Sequence, residues 1–426
     1  MLDTVNKSAC GCDSPDGAQD LLPVDEAIAL ARGMATPIRE TESVALRLAK
    51  GRYLAFDLMA PRAMPFFDNS AMDGYAVRIS ELDGSGPWEL NVADTVAAGT
   101  DAIEAEYPAG SAVRIFTGAP VPQGFNAVIK RELCNEAETG VGFSELPSVG
   151  DNIRRAGEDL AMGTVLVKAG TKLAPRHIGL LAANGYSAVS VSRRVRVGVF
   201  STGSEVVSGG SERDAHRIFD SNRPMLLALA EEAGAEATDL GIVPDDLEEM
   251  AAHLSSLSGR FDLLISSGAV SVGDRDLVRP AFEMAGGSVH NWRVAIKPGK
   301  PALFGTLGDK LYMGLPGNPL AVFVGFHLFA KLQIEALSGA KPAAEQKFQV
   351  RSGFEKSRHA GRTEYMPVRV LEVGVDGLPV VEQVGNGGSG SLYPLCCADG
   401  FAILPAACNR VKSGDKFAYL PLNGQI

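Results

Sequence analysis

The spacing of apolar residues divides the chain into segments with different predicted secondary structure. Residues 21–58 carry apolar side chains at helical intervals, which predicts amphipathic helices. Thr41 or Ser43 is a candidate cap for the second of these helices. The positions that define the pattern are Val24, Ala27, Ile28 and Ala31, followed by Val44, Leu46, Leu48 and Ala49.

Residues 59–149 have a different pattern, with short β-like runs separated by glycine and proline. This pattern predicts an all-β domain. Helical character returns over 150–192, so we expect residues 21–58 and 150–192 to form one helical domain into which the β domain is inserted. Residues 1–20 are polar and rich in small side chains, and we expect a disordered tail there.

Residues 193–340 alternate between predicted strands and helices, which is typical of a doubly wound α/β domain with a parallel sheet. Residues 341–426 return to short strands with glycine and proline turns, which predicts a small β domain or barrel. The expected fold class is therefore a multi-domain α/β plus β protein. The predicted strands of the α/β segment are 196–200, 236–243 and 262–266, and its predicted helices are 222–234 and 245–257.

Composition and charge limit the classes of protein to which the chain can belong. Its 426 residues are enough for several domains. The net charge of −11 does not suit non-specific nucleic-acid binding, which requires dense lysine and arginine. No secretory signal is evident, and the most apolar segment, 319–330, is too short to span a membrane and contains His327. We therefore expect a cytoplasmic protein without a membrane or nucleic-acid partner.

Two short motifs are weak candidates for binding sites. The six cysteines form no CxxC pair, and Cys10 with Cys12 could hold a soft metal, although free reduced thiols are the favoured interpretation. Residues 385–390 match the GxGxxG pattern of dinucleotide sites. No βαβ unit follows them and Pro394 interrupts any helix, so a dinucleotide site is not expected.

Three loops rich in small residues follow predicted strands of the α/β segment. Ligands bind at the carboxyl ends of strands in open α/β sheets, where small residues let backbone amides approach a phosphate. Pro319 fits the first position of the next helix and Asn318 its cap, so that helix N-terminus is a natural anion site. A fourth segment adds Lys297 and Lys300. The candidate ligand-binding residues of the three loops are Ser201, Thr202, Gly203, Ser266, Gly268, Ser271, Gly273, Pro316, Gly317 and Asn318.

Three acidic residues are expected at the same sheet edge, namely Glu205, Asp245 and Asp276. Carboxylates repel an anionic ligand unless a divalent cation lies between them, and Mg²⁺ prefers such oxygen ligands together with substrate phosphates. The pattern predicts a metal-assisted phosphate or pyrophosphate site. Each loop alone could instead be a tight turn, and Asp245 with Asp246 could simply cap a helix.

Polar residues also cluster outside the α/β segment, over 67–77, 117–120 and 154–159. Taken singly, each cluster would be a capped turn or a surface ion pair. Together with the α/β loops, however, these segments resemble the MoeA family of molybdenum insertases and the carboxyl-terminal domain of gephyrin. The matching segments, in the family's order, are DNSAMDGYAV (68–77), TGAPVP (117–122), NIRRAGED (152–159), FSTGSE (200–205), DSNRPML (220–226), LGIVPDD (240–246), SSGAVSVGDRD (266–276), AIKPGKP (295–301) and GLPGNP (314–319).

The resemblance implies a helical linker domain, a β lid domain, a MogA-like pterin-binding α/β domain and a terminal β-barrel. It implies a homodimer whose active cleft lies between the α/β domain of one subunit and the lid of the other. The implied reaction inserts molybdate into adenylylated molybdopterin with Mg²⁺ and releases AMP. An upstream adenylyltransferase and molybdoenzyme chaperones are candidate partners.

By matching position, the resemblance implies that Asp68, Thr117 and Asp159 act from the lid. Glu205, Asp245 and Asp276 would bind the metal or position pterin and water. Lys297, with Lys300 nearby, would hold the oxyanion or phosphate, and Arg293 and Ser389 would contact the substrates. Four departures from the family pattern lie in or beside these motifs. They leave open a non-catalytic pterin-binding or scaffold protein, and tungstate could replace molybdate. The departures are Ser204 for Asp, Ala269 for Gly, Arg293 for Lys, and Leu320-Ala321 for Val-Ser.

Overall fold

A computed structural model describes residues 21–212, 214–268, 277–341 and 348–422. The predicted tail with Cys10 and Cys12 lies outside the described residues. So does the end of the second small-residue loop, which contains the candidates Ala269, Ser271, Gly273 and Asp276.

The first predicted helix is present as α1 (Val24–Gly33), and its apolar face packs on the core of the α/β region through Val24, Ala27 and Ala31. The prediction of a second helix in this segment is wrong. Residues Thr41–Ala45 form strand β1, followed by a 3₁₀ turn at Leu46–Leu48. The strand forms because it pairs antiparallel with residues Ala188–Ser192, a long-range contact that local periodicity does not contain.

The inserted region is β-rich, as predicted. Six of its strands form one sheet in the order β7-β4-β6-β5-β9-β8. Two apolar clusters cover the two faces of this sheet, one around Val113 and Ile115 and the other around Trp88 and Phe143. The strands in chain order are β2 (Leu58–Met59), β3 (Asn69–Ser70), β4 (Gly74–Val77), β5 (Trp88–Val96), β6 (Ser111–Ile115), β7 (Ala127–Lys130), β8 (Asn135–Glu136) and β9 (Gly140–Phe143), with 3₁₀ turns at Ile79–Glu81 and Arg131–Leu133.

The chain then returns along the path by which it entered the inserted region. Strands β10, β11 and β12 pair antiparallel with β3, β2 and β1, respectively. The apolar residues at this return form a separate core that includes Leu54, Leu173 and Leu181. The returning elements are β10 (Ile153–Arg154), β11 (Val165–Val167), α2 (Pro175–Ala183) and β12 (Ala188–Ser192).

The α/β region is built on a six-stranded sheet in the order β16-β13-β17-β21-β20-β18. Its first four strands are parallel, as predicted, but β20 runs antiparallel to both of its neighbours. The reversal follows from a two-residue hairpin at Gly308 and Asp309, which can join only antiparallel strands. The elements are β13 (Arg196–Thr202), β14 (Val206–Val207), β15 (Ile218–Phe219), α3 (Asn222–Glu232), β16 (Glu236–Val243), α4 (Leu247–Leu257), β17 (Leu263–Ser267), α5 (Val278–Met284), β18 (Gly287–Arg293), β19 (Ile296–Lys297), β20 (Pro301–Leu307) and β21 (Lys310–Leu315).

The apolar segment that follows β21 forms one continuous helical stretch, Pro319–Leu337, made of α6 (Pro319–Gly325), a π-helical turn (Phe326–Ala330) and α7 (Lys331–Leu337). The stretch has 19 residues and is therefore longer than the apolar run in the sequence indicates. Length and composition alone would let it cross a membrane, but 67% of it is buried within the molecule. That burial is expected of a core helix packed on a sheet.

The last region is a closed five-stranded β-barrel, which confirms the predicted fold class. The barrel order is β24-β25-β22-β28-β26, and β26 pairs back with β24. Strand β19 of the α/β region is hydrogen-bonded to the outside of the barrel through β24. The elements are β22 (Phe348–Ser352), β23 (Lys356–Ser357), β24 (Thr363–Val373), β25 (Pro379–Gln383), α8 (Tyr393–Cys396), β26 (Gly400–Leu404), β27 (Arg410–Val411) and β28 (Lys416–Pro421).

Candidate functional site

A cavity of about 780 Å³ lies where β13, β17 and β21 end. Parallel strands place their carboxyl ends at one sheet edge, so loops that are far apart in sequence meet there. The candidates from the sequence that line this cavity are Ser201, Thr202, Gly203, Glu205, Asp245, Gly268, Gly317 and Asn318.

Ser266 is not brought into the cavity, although the sequence analysis included it. Its hydroxyl lies 2.6 Å from the Tyr312 hydroxyl, and the next residue, Ser267, lines the cavity instead. Successive side chains of a strand point to opposite faces, so a shift of one residue decides which serine faces the ligand space.

Gly268 holds two strand ends close together at this cavity. Its φ of +107° is rarely adopted by residues with a side chain, and a Cβ atom would lie 2.4 Å from the Thr202 carbonyl oxygen. Only glycine fits here without moving one of the two strands. The close approach brings the ends of β13 and β17 to the same wall of the cavity.

Buried polar atoms without partners mark the floor of the cavity. Ser201 Oγ, Thr202 Oγ1 and Asn222 Oδ1 have no hydrogen-bond partner among the described residues. Each unpaired buried polar atom costs about 1–3 kcal/mol. Asn222 is held in place because its Nδ2 donates to Ser267 Oγ at 2.8 Å and to the Gly317 carbonyl at 2.7 Å. Because all three atoms are buried beneath the cavity wall, a polar ligand would reach them only after a local shift of that wall.

The turn that positions Asn222 is held by a buried ion pair that the sequence analysis did not assign. Asp220 accepts from the backbone amides of Asn222 and Arg223, both at 3.1 Å, and from Arg223 Nε at 3.0 Å. Arg223 also pairs with Asp239. The segment DSNRPML was one of the matching motifs, so the signal was present in the sequence.

Two exposed carboxylates lie at the mouth of the cavity, Glu205 and Asp245. Asp245 Oδ2 accepts from the Ser204 amide at 3.1 Å. The helix cap is its neighbour Asp246, which accepts from the Glu249 amide at 2.8 Å, so Asp245 is left facing the cavity. No group of three His, Cys, Asp or Glu able to hold a metal is found in the described ranges, and Asp276 lies outside them.

A second cavity, of about 360 Å³, adjoins the first and shares Gly317 and Asn318 with it. Both the α/β region and the barrel contribute to its lining. Lys297, Lys300 and Pro316 come from the α/β region, whereas Ser389 belongs to the barrel. These are the remaining candidates for oxyanion and substrate contacts, apart from Arg293.

The N-terminus of α6 is partly closed by the barrel. Asn318 does not cap the helix with its side chain; its Nδ2 donates to Ser389 Oγ at 2.8 Å. The Leu320 amide donates to the Ser389 carbonyl at 3.2 Å. A barrel loop therefore occupies part of the anion site that was predicted at this helix end, and it forms the boundary between the two cavities.

The lid candidates lie apart from both cavities within the described chain. Asp68 accepts from Arg155 Nη1 at 2.6 Å and from the Ala156 amide at 2.8 Å. Partial burial favours the neutral acid, but these two donors prevail and lower the pKa of Asp68. The Thr117 amide and hydroxyl both donate to Asp73 Oδ1 at 2.8 Å. Asp159 is exposed on the same region.

Arg293 lies outside the described lining of both cavities. Its guanidinium covers the Trp292 ring at 3.9 Å from the ring centroid, and its buried Nε has no hydrogen-bond partner in the described part of the chain. Such cation–π stacking positions the arginine against the edge strand β18. A contact between Arg293 and a substrate therefore stays a prediction.

The fold and site together define a multi-domain α/β protein with a polar cavity at a sheet edge that is joined to a barrel. Three family models match in sequence: the MoeA N-terminal region (domain I and II) over 22–185, a probable molybdopterin binding domain over 198–336, and the MoeA C-terminal region (domain IV) over 349–422. The chain belongs to the MoeA family, which confirms the resemblance, and it takes part in molybdenum cofactor biosynthesis.

Relatives of similar length support this assignment. The molybdopterin molybdenumtransferase of Haemophilus influenzae is 37% identical over 90% of this chain and 94% of its own. That of Bacillus subtilis is 36% identical over 92% of each chain. A crystal structure of the molybdopterin biosynthesis MoeA protein from Pyrococcus horikoshii OT3 superposes with a TM-score of 0.81 at 30% identity, covering 94% of this chain and 99% of that one. The predicted enzyme class, a transferase, agrees with these names.

Proposed function

We propose that this protein inserts molybdate into adenylylated molybdopterin and releases AMP. The carrying observation is that the two cavities adjoin each other and share Gly317 and Asn318 in their linings. Beneath the wall of one cavity lie hydroxyl and amide oxygens that have no partner in the described part of the chain, and the other cavity presents lysines to an anion. A substrate that spans both would bring its phosphate next to an incoming oxyanion.

The larger cavity suits the pterin and its phosphates. Ser201 and Thr202 can donate hydroxyl hydrogens to phosphate oxygens, and Asn222 Oδ1 can accept from a polar ring substituent. Gly268 allows the backbone to approach the ligand closely. Molybdate is a tetrahedral dianion, and the smaller cavity supplies Lys297 and Lys300 to bind it. The dithiolene sulfurs of the pterin would capture the metal, so the reaction needs no protein cysteine.

Glu205 and Asp245 fit the donor set of a magnesium ion. Mg²⁺ is commonly held by one or two carboxylates together with substrate phosphates, and these two carboxylates are exposed at the mouth of the phosphate-binding cavity. When bound, the ion would neutralise charge that develops on the phosphoanhydride. Asp276 remains a predicted third ligand.

The decisive assay supplies adenylylated molybdopterin, Mg²⁺ and molybdate to the purified protein and measures AMP and active cofactor. Glu205→Gln is expected to lower turnover by at least about a hundredfold, because a metal ligand that acts on developing charge is lost. Glu248→Gln is the matched control, since it neutralises an exposed acid of α4. Absence of AMP release by the unaltered protein would favour the non-catalytic alternative, and tungstate in place of molybdate tests oxyanion choice.

We further propose that the lid candidates complete the site of a partner subunit in a homodimer. In support, Asp68 borders a separate lid cavity together with Phe67 and Val121, away from the sheet edge of its own chain. A mixture of Asp68→Asn and Glu205→Gln chains should then regain about a quarter of the wild-type activity, since half of the dimers are mixed and one of their two sites is intact.

A mixture of Glu205→Gln and Lys297→Met chains is the control for this complementation. Both changes lie in the α/β region, so no mixed dimer contains an intact site, and no recovery is expected. Equal recovery in the two mixtures, or recovery in neither, would contradict a site shared between subunits.

A further inference from the structure

A buried carboxylate of the barrel lies at the back of the smaller cavity. Glu364 belongs to β24 and is 3% exposed. Three cations surround it: Lys356, Arg358 and Lys297. Burial favours the neutral form of Glu364, but the three cations prevail, with Lys356 contributing most, and lower its pKa. With three cations and one carboxylate, this cluster of four residues has two more positive charges than negative ones.

The three cations do not share Glu364 equally. Lys356 Nζ donates to Oε1 at 2.9 Å, and Arg358 Nε donates to Oε2 at 2.9 Å. Lys297 Nζ lies 3.9 Å from Oε1, which is beyond hydrogen-bond distance. Both lysines thus approach the same oxygen, and of the two only Lys356 is within hydrogen-bond distance of it.

The backbone places this oxygen next to the proposed oxyanion site. Lys297 and Glu364 are register partners in the pairing of β19 with β24, so the barrel positions the main chain of Lys297. Lys297 lines the smaller cavity, and its side chain is 33% exposed. Lys356 is not among the lining residues, so it makes no direct contact with a ligand in this cavity.

We propose that Lys356 is a positioning residue that occupies one oxygen of Glu364 and thereby leaves the Lys297 ammonium available to the oxyanion substrate. Without Lys356, Lys297 would move onto Oε1 and form the charge-assisted hydrogen bond that Lys356 now makes. An anion would then have to break that bond in order to recruit Lys297. The inference rests on the proposed function, because it assumes that Lys297 binds the oxyanion.

The test measures sodium molybdate binding to the full-length protein by calorimetry in phosphate-free buffer at fixed ionic strength. Lys356→Met is expected to weaken binding by about tenfold, the equivalent of one charge-assisted hydrogen bond partly lost. Lys356→Arg should bind within about twofold of wild type, because arginine still occupies the carboxylate. Lys416→Met is the matched control: it removes a barrel lysine that pairs with Asp376, and binding should be unchanged.

A double-mutant cycle separates positioning from simple loss of positive charge. In a Lys297→Met background, Lys356→Met should change binding by less than about twofold, because the residue through which it acts is gone. The same tenfold loss in both backgrounds would overturn the inference, since the effect would then be electrostatic only. Failure of Lys297→Met itself to weaken molybdate binding would instead contradict the proposed function.

A crystal structure of Lys356→Met supplies a readout independent of binding. Lys297 Nζ is expected to move to about 2.9 Å from Glu364 Oε1, the usual distance of such a bond. A Lys297 that stays at its original distance would overturn the inference. Should Lys356→Met fail to fold, Lys356→Gln provides the same comparison, because it removes the charge while keeping a polar side chain beside Glu364.

Discussion

The two cavities that meet at Gly317 and Asn318 differ in the polar and charged groups around them. The larger one has neutral buried oxygens without partners among the residues that the structure describes, and two exposed acids at its mouth. The smaller one has an excess of positive charge, with Glu364 bound to Lys356 and Arg358 while Lys297 lies beyond hydrogen-bond distance of it. The larger cavity thus leaves polar atoms for the ligand to satisfy, whereas the smaller one regulates how available a cation is.

The difference in construction follows from the elements that build each cavity. The larger cavity is formed mainly by the ends of parallel strands within one α/β sheet, where backbone and hydroxyl groups converge. The smaller cavity joins that sheet to the barrel through the pairing of β19 with β24. Charged side chains meet there because the barrel packs directly against the α/β region.

Neutralising Glu364, the carboxylate at the smaller cavity, should have the largest effect on stability. Glu364→Gln leaves Lys356 and Arg358 buried without a counter-ion, and we expect the free energy of unfolding at pH 7 to fall by about 3–5 kcal/mol. Chemical denaturation measures this change. Glu382→Gln, which removes the exposed partner of Arg369 on the same barrel, should cost less than about 1 kcal/mol.

The difference in the free energy of unfolding between wild type and Glu364→Gln should depend on pH. The pKa of Glu364 is lowered in the folded protein, so its charge contributes stability fully above the unfolded value of about 4.3 and progressively less as pH falls toward the folded pKa. The difference between wild type and Glu364→Gln should therefore be constant from about pH 6 to 8 and shrink below about pH 4. A difference independent of pH down to that range would contradict the role assigned to the carboxylate.

Adding a side chain at Gly268, which lies against the Thr202 carbonyl, should disrupt the larger cavity and leave the smaller one intact. Gly268→Ala adds a Cβ atom 2.4 Å from the Thr202 carbonyl oxygen at a positive φ, and we expect destabilisation of about 2–4 kcal/mol with loss of turnover. Gly241→Ala is the matched control, because its φ of +80° is also positive but no atom lies within 4 Å. Molybdate binding should persist in folded Gly268→Ala, and its loss would show that the cavities are not separable.

Weakening the boundary between the cavities should have the smallest effect. Ser389→Ala removes the acceptor of the Asn318 side chain but keeps the Ser389 carbonyl that accepts from Leu320. A loss of about 0.5–1.5 kcal/mol in the free energy of unfolding is expected, as for one ordinary hydrogen bond. Because the loop retains its backbone contact, molybdate affinity should change by less than about threefold. A larger loss of affinity would mean that the serine hydroxyl binds the anion directly.

Much of the α/β region and part of the site follow from local sequence signals. Apolar runs and helical periods identify the elements between 193 and 340, and parallel topology alone brings Thr202, Gly268 and Gly317 to one edge. The acids Glu205 and Asp245 follow from the same rule. Their positions depend on the ends of elements that can be recognised within short windows of sequence.

The tertiary structure alone decided the features that depend on distant contacts. Residues 41–45 became a strand because Ala188–Ser192 supply its hydrogen bonds, and Ser267 replaced Ser266 in the cavity because strand register sets which face a side chain occupies. The sequence shows Lys297 and Glu364 but not their pairing. Local pattern determines the type of an element, whereas the partners of its backbone and charges are chosen by packing over long separations in the chain.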